Sequence, residues 1–80
     1  MTPNGNRPPF AALLAEHVRQ ARKDSQLTQS QLAELAGVGR RLVSELENAK
    51  PTLQLEQVER VLAVFGRCLA IAKPGEADRE

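Results

Sequence analysis

LTQSQLAELAGVGRRLVSELENAK, Leu27 to Lys50, is the stretch that decides how this chain folds. Thr28 followed three residues later by Gln31 is a helix start in which each side chain caps the other's backbone amide. The helix runs to about Ala36, and Gly37 stands where a left-handed residue is needed to stop it. A second helix covers about Arg40 to Asn48. Pro51 closes it, because proline lacks an amide donor and disfavours helix at Lys50. Two helices packed this closely need a small residue at their crossing, here Ala33, and a tight turn four residues on, here Gly37. They also need apolar residues one turn apart on the second helix. Val43 and Leu46 supply these, with Leu32, Ala36 and Val38 completing the inner cluster. Four independent steric requirements met at the right spacing form a far more specific signal than a single glycine motif.

Working outward, Phe10, Leu13, Leu14, Val18 and Ala21 recur at helical spacing and predict a first helix over Phe10 to Asp24. Arg19, Arg22 and Lys23 lie toward its C-terminal end, where cations suit the helix dipole. Ser25 and Gln26 form a short connection. After Pro51 a fourth helix covers about Leu55 to Phe65, with Gly66 as its stop. Its apolar positions, Leu55, Val58, Val61, Leu62, Val64 and Phe65, make a stripe broader than one small core requires. The segment RCLAIAK, Arg67 to Lys73, is too short for a helix, and the alternation of Leu69 and Ile71 predicts a short strand. A lone strand cannot satisfy its backbone, so it is expected to pair with its counterpart in a second subunit. The expected dimer interface comprises Val61, Val64, Cys68, Leu69, Ala70 and Ile71. Residues 1–9 and 74–80 are polar and expected to be a flexible arm and tail, leaving 10–73 as the folded, dimerising domain.

Composition sets the outer limits. Eighty residues make one small domain, with a core only just large enough to fold alone. Aromatics are limited to Phe10 and Phe65, so the core must be aliphatic, which suits packed helices. The net charge of +1 gives no bulk electrostatic signal for nucleic acid. Cys68 is the only cysteine, which excludes an internal disulfide or a cysteine-based zinc cluster within one chain. No secretory leader and no membrane span is recognisable, and a cytoplasmic setting is expected. His17 stands beside Glu16 without a second ligand and reads as structural. No carboxylate pair, phosphate loop or activated nucleophile is present, so neither catalysis nor a cofactor or metal is expected.

With Val43 and Leu46 facing inward, the outward side of the second helix carries Arg41, Ser44, Glu45 and Asn48, with Arg40 at its leading end. Isolated arginine pairs on helices are usually only solvated surface. Within this frame they sit where a helix of such a pair enters the major groove. Arginine can bond guanine O6 and N7 together, and glutamate can accept from cytosine N4.

These residues carry a resemblance. Leu27–Lys50 is similar to the Cro/C1-type helix-turn-helix of phage repressors and the Xre family. TQSQLAELAGVGRRLVSELENAKPTL, Thr28 to Leu53, followed by a helix and a short strand, resembles more narrowly the HipB-type antitoxins. The likeness covers roughly residues 10–73. It implies an all-α, lambda-repressor-like bundle of about four helices with a C-terminal strand paired across a homodimer. It further implies operator binding, repression of the protein's own toxin–antitoxin operon, and a HipA-like serine/threonine kinase toxin as partner. By resemblance, Gln29 contacts phosphate and buttresses the recognition helix. Arg40, Arg41 and Glu45 touch bases with Ser44 as neighbour, and Asn48 and Lys50 contact the DNA backbone. Arg22 and Glu47 match a structural ion pair. Gly39 replaces a usual Ser/Thr cap, which lets the backbone approach DNA closely, and Ala49 replaces a common glycine. Two other readings stay open: a stand-alone Xre-type repressor without a toxin, and a protein-interaction module that does not bind DNA. A protein-binding helix should present apolar anchors outward, and this one does not.

Overall fold

The structure is a computed structural model describing residues 9–73. Four helices follow in order: α1 (Phe10–Asp24), α2 (Gln29–Ala36), α3 (Arg40–Glu47) and α4 (Leu55–Val64). The expected arm up to residue 8 and the expected tail from residue 74 lie outside the described residues.

Local chemistry explains the helix boundaries. Pro9, with φ of −56°, precedes α1, and its carbonyl accepts from the amides of Ala12 and Leu13 at 3.0 and 3.2 Å. At α2 the reciprocal cap is complete: Gln31 N donates to Thr28 Oγ1 at 3.0 Å, and Thr28 N donates to Gln31 Oε1 at 2.8 Å. The exits share one device. Positive φ occurs among the described residues at Gln26 (59°), Gly37 (72°), Ala49 (63°) and Gly66 (70°), one at each helix end. The amide after each reaches back five residues, as in Leu27 N to Arg22 O at 3.1 Å and Lys50 N to Glu45 O at 3.0 Å. Val38 N to Ala33 O and Arg67 N to Leu62 O, both 3.0 Å, complete the set. The left-handed residue swings the chain so that this amide satisfies a carbonyl the helix leaves open.

Val18, Leu32, Ala33, Leu42, Val43, Leu46, Val58, Val61 and Leu62 form one buried cluster to which all four helices contribute. Fully burying an aliphatic side chain of this size stabilises a fold by about 1.5–3 kcal/mol. α3 packs against the other three helices, so its apolar side is enclosed while its opposite side faces solvent.

The structure corrects several expectations. Phe10 and Leu13, which share the helical spacing of Leu14 and Val18, are 66% and 46% exposed. α1 turns the stripe of Leu14, Ala15 and Val18 toward the bundle instead. Leu42 joins Val43 and Leu46 in the core, because three neighbours enclose a wider arc of α3 than one partner helix would. Val61, expected at a subunit boundary, is fully buried in the chain's own core. Cys68 is exposed. No strand occurs among the described residues. Residues 67–73 carry no regular structure, since a ladder needs a second strand and none lies beside them among the described residues. Leu69 packs partly against the core, whereas Ile71 is fully exposed. No helix among the described residues is long and apolar enough to cross a membrane.

Candidate nucleic-acid interface

The free side of α3 is built by its own periodicity. Burying Leu42, Val43 and Leu46 turns Arg41, Ser44, Glu45 and Asn48 away from the bundle. Arg40 and Arg41 are exposed in the first turn, Ser44 and Glu45 are half-buried, and Asn48 and Lys50 are exposed at the far end. Gly39 precedes the helix in extended conformation and offers no side-chain cap. The first amides of α3 therefore lack a side-chain acceptor and point, with the positive end of the helix dipole, to the same end as the two arginines. An anion approaching this end meets guanidinium groups and backbone donors together.

Glu45 ties the face together lengthwise. Its Oε2 accepts from Arg41 Nε at 3.2 Å and from Lys50 Nζ at 3.3 Å. The bond from Lys50 is the main influence holding the Glu45 carboxyl below its ordinary pKa, with Arg41 adding to it against a partial burial cost. Arg41 remains 90% exposed.

A second network fixes the angle at which α3 is presented. Glu47 is buried at the end of α3. Arg22 meets it with two bonds, Nε to Oε2 at 2.6 Å and Nη2 to Oε1 at 3.0 Å, a fork geometry that adds orientation to strength. Arg22 Nη1 also donates to the Leu27 carbonyl at 2.8 Å. Gln29 Nε2 donates to Glu47 Oε1 at 3.2 Å, and Arg19 Nη1 donates to the Glu47 backbone carbonyl at 3.0 Å. Burial pushes the Glu47 carboxyl up, but the bonds from Arg22 and Gln29 and the charges of Arg22 and Arg19 outweigh it. The net pKa is lowered. Arg22 is correspondingly raised, chiefly by its bond to Glu47, and stays charged throughout. No buried side-chain nitrogen or oxygen among the described residues lacks a partner.

The structure thus brings Arg22, Gln29 and Glu47 into one cluster, and Arg41, Glu45 and Lys50 into another. Gln29 spends its amide on Glu47 at the base of α3. Of the residues assigned to subunit contact, Val64 and Leu69 are half-buried, while Cys68, Ala70 and Ile71 are exposed on the segment after α4. Arg19 is the participant that sequence reasoning missed. Its signal was its place one turn before Arg22 on the same face of α1. Among the described residues, no three His, Cys, Asp or Glu side chains lie close enough to share a metal ion.

Residues 13–68 match the family described as helix-turn-helix domain. The chain is also 46% identical over 59 residues to an uncharacterized HTH-type transcriptional regulator, y4mF, of Sinorhizobium fredii (strain NBRC 101917 / NGR234). That match covers 74% of this chain and 78% of the relative.

Proposed function

The chain belongs to the helix-turn-helix domain family, and we propose that it is a DNA-binding regulator of transcription that reads the major groove with α3. The observation that carries this reading is the solvent face of α3. Two exposed arginines open the helix, polar groups able to meet base edges follow, and a lysine closes it. Apolar anchors, which a protein-docking helix would need, are confined to the buried side. The relative is itself named as a transcriptional regulator. Arg40, Arg41, Ser44 and Glu45 read or flank bases, and Gly39, Asn48 and Lys50 meet the backbone. Gln29 buttresses α3 through Glu47.

The finer assignment is a homodimeric repressor. Support comes from residues 67–73, which pair with no strand among the described residues and expose Ile71. Pairing with the same segment of a second copy would satisfy that backbone and place two recognition helices on one duplex. The resemblance of Thr28–Leu53 to HipB-type antitoxins extends the proposal to a HipA-like kinase toxin as protein partner and to repression of the shared operon. Co-purification with the product of an adjoining open reading frame checks this last step. A neighbouring frame without a kinase-like product would leave a stand-alone repressor.

The central test is sequence selection. Purified protein should enrich one palindromic sequence from a random duplex library. On the selected duplex, Arg41→Ala should cost about 1–3 kcal/mol and relax preference at one base pair. Full affinity and selectivity in that variant at matched salt would refute α3 as the reading element.

A further inference from the structure

On the DNA-binding reading above, we propose that Glu45 is a specificity-determining carboxylate: it holds Arg41 and Lys50 away from their contacts with the duplex and releases them on a sequence that offers Glu45 a base amine. One oxygen, Oε2, accepts from both cations at 3.2 and 3.3 Å. That is the arrangement a phosphate oxygen would offer, supplied by the protein to itself. The clip spans α3, joining Arg41 in its first turn to Lys50 beyond its last.

Docking on an arbitrary sequence exchanges one anion for another at both cations, so little is gained. The exchange also strands the half-buried Glu45 carboxylate in the negative potential of the duplex. A sequence that places the exocyclic amine of cytosine at Glu45 removes this penalty, because N4 donates to the carboxylate as the cations leave it. Non-specific binding is thereby penalised while the cognate site is not, and the ratio between them widens.

The test uses the full chain and a fluorescent random-sequence duplex. Removing one negative charge from the contact face frees about one further phosphate contact. Glu45→Gln should therefore bind the random duplex roughly eightfold more tightly at about 0.1 M salt, with a salt slope steeper by about 0.9. Glu34→Gln, which removes an exposed carboxylate from α2, makes the same change in net charge and should do neither. Adding Lys50→Gln should weaken random-duplex binding less in the wild type, where Lys50 is clipped to Glu45, than beside Glu45→Gln. The proposal is overturned if Glu45→Gln binds random duplex no more tightly than wild type. Equal tightening by Glu34→Gln, or an equal effect of Lys50→Gln in both backgrounds, overturns it as well. A wild type that binds no duplex at any salt concentration removes the DNA-binding reading and this one with it.

Discussion

Glu47 shows how one buried charge positions a surface element. Its carboxylate is only about 5% exposed, a location that would ordinarily favour the neutral acid. The fork from Arg22 and the amide of Gln29 reverse that preference, leaving the folded pKa below the unfolded one. The sign of the linkage follows. This group contributes stability that is fully present above its unfolded value, about 4.3, and is lost as pH falls through its folded value. Urea unfolding of the wild type should show that loss on acidification below about pH 4.5, and Glu47→Gln should flatten the profile in the same window. At neutral pH, Glu47→Ala leaves the half-buried Arg22 guanidinium without its carboxylate partner, a change that costs up to about 3 kcal/mol. Glu34→Ala, on the exposed face of α2, should fall within about 0.5 kcal/mol of wild type. A double-mutant cycle in which Arg22→Ala and Glu47→Ala are additive would disprove the coupling. Glu45 adds little to this pH dependence, because its partners are screened at the surface.

Among the elements, the four helix exits set the angles between helices and show where local sequence stops being informative. Gly37 and Gly66 were legible because glycine is the residue that reaches positive φ without a Cβ penalty. Gln26 and Ala49 adopt the same conformation at 59° and 63°, and nothing in a glutamine or an alanine announces it. Their bridging hydrogen bonds and the surrounding packing impose the geometry against local preference. The same limit applies to which face of α1 is inward. Phe10 and Leu13 share the helical period with Leu14 and Val18, and only the position of α3 decides between them. The start, turn and docking of the central helix pair were legible, since capping box, crossing alanine, turn glycine and docking pair all act within one short stretch. The Arg22–Glu47 pair was legible only through resemblance, because no local rule links side chains that far apart. A prediction belongs to the strained exits. Left-handed backbone costs a non-glycine residue about 1–2 kcal/mol, partly offset by the extra unfolded-state freedom of glycine, about 0.4–1 kcal/mol. Ala49→Gly should therefore stabilise the protein by about 0.5–1 kcal/mol, raising Tm by a few degrees in scanning calorimetry. No Cβ added at Gly37 or Gly66 would meet an atom within 4 Å, so alanine there should destabilise through backbone conformation alone. An unchanged or lowered Tm for Ala49→Gly would show that this exit is not strained.

At the scale of the whole molecule, one α3 of eight residues is long enough to reach only a few base pairs, too few for the selectivity a regulator needs among genomic sites. Two copies held in fixed register would read both halves of a palindrome about one helical turn apart. The segment after Gly66 is where such register would be set. It exposes Cys68, Ala70 and Ile71 and lies beside Phe10 and Leu13, which are themselves exposed. Val61 cannot serve there, being enclosed by its own subunit. A self-paired strand would instead have Val64, Leu69, Phe10 and Leu13 as its apolar support. Two variants separate this from a purely internal role. Truncation after Gly66 removes Leu69 from its partial packing on the core, so it tests stability and assembly together. Ile71→Asp changes a fully exposed side chain, so the isolated subunit should fold as before. In a self-paired strand, however, it brings two carboxylates toward each other across the two-fold axis. On the strand-pairing proposal the wild type should sediment as a dimer and both variants as monomers. Both should lose at least about 100-fold in affinity for the selected palindrome, because the second half-site no longer binds intramolecularly. Their affinity for an isolated half-site should be unchanged for Ile71→Asp, whose α3 is untouched. If Ile71→Asp and the truncated chain both remain full-strength dimers, strand pairing is wrong, and the second copy must be held through another face of the bundle.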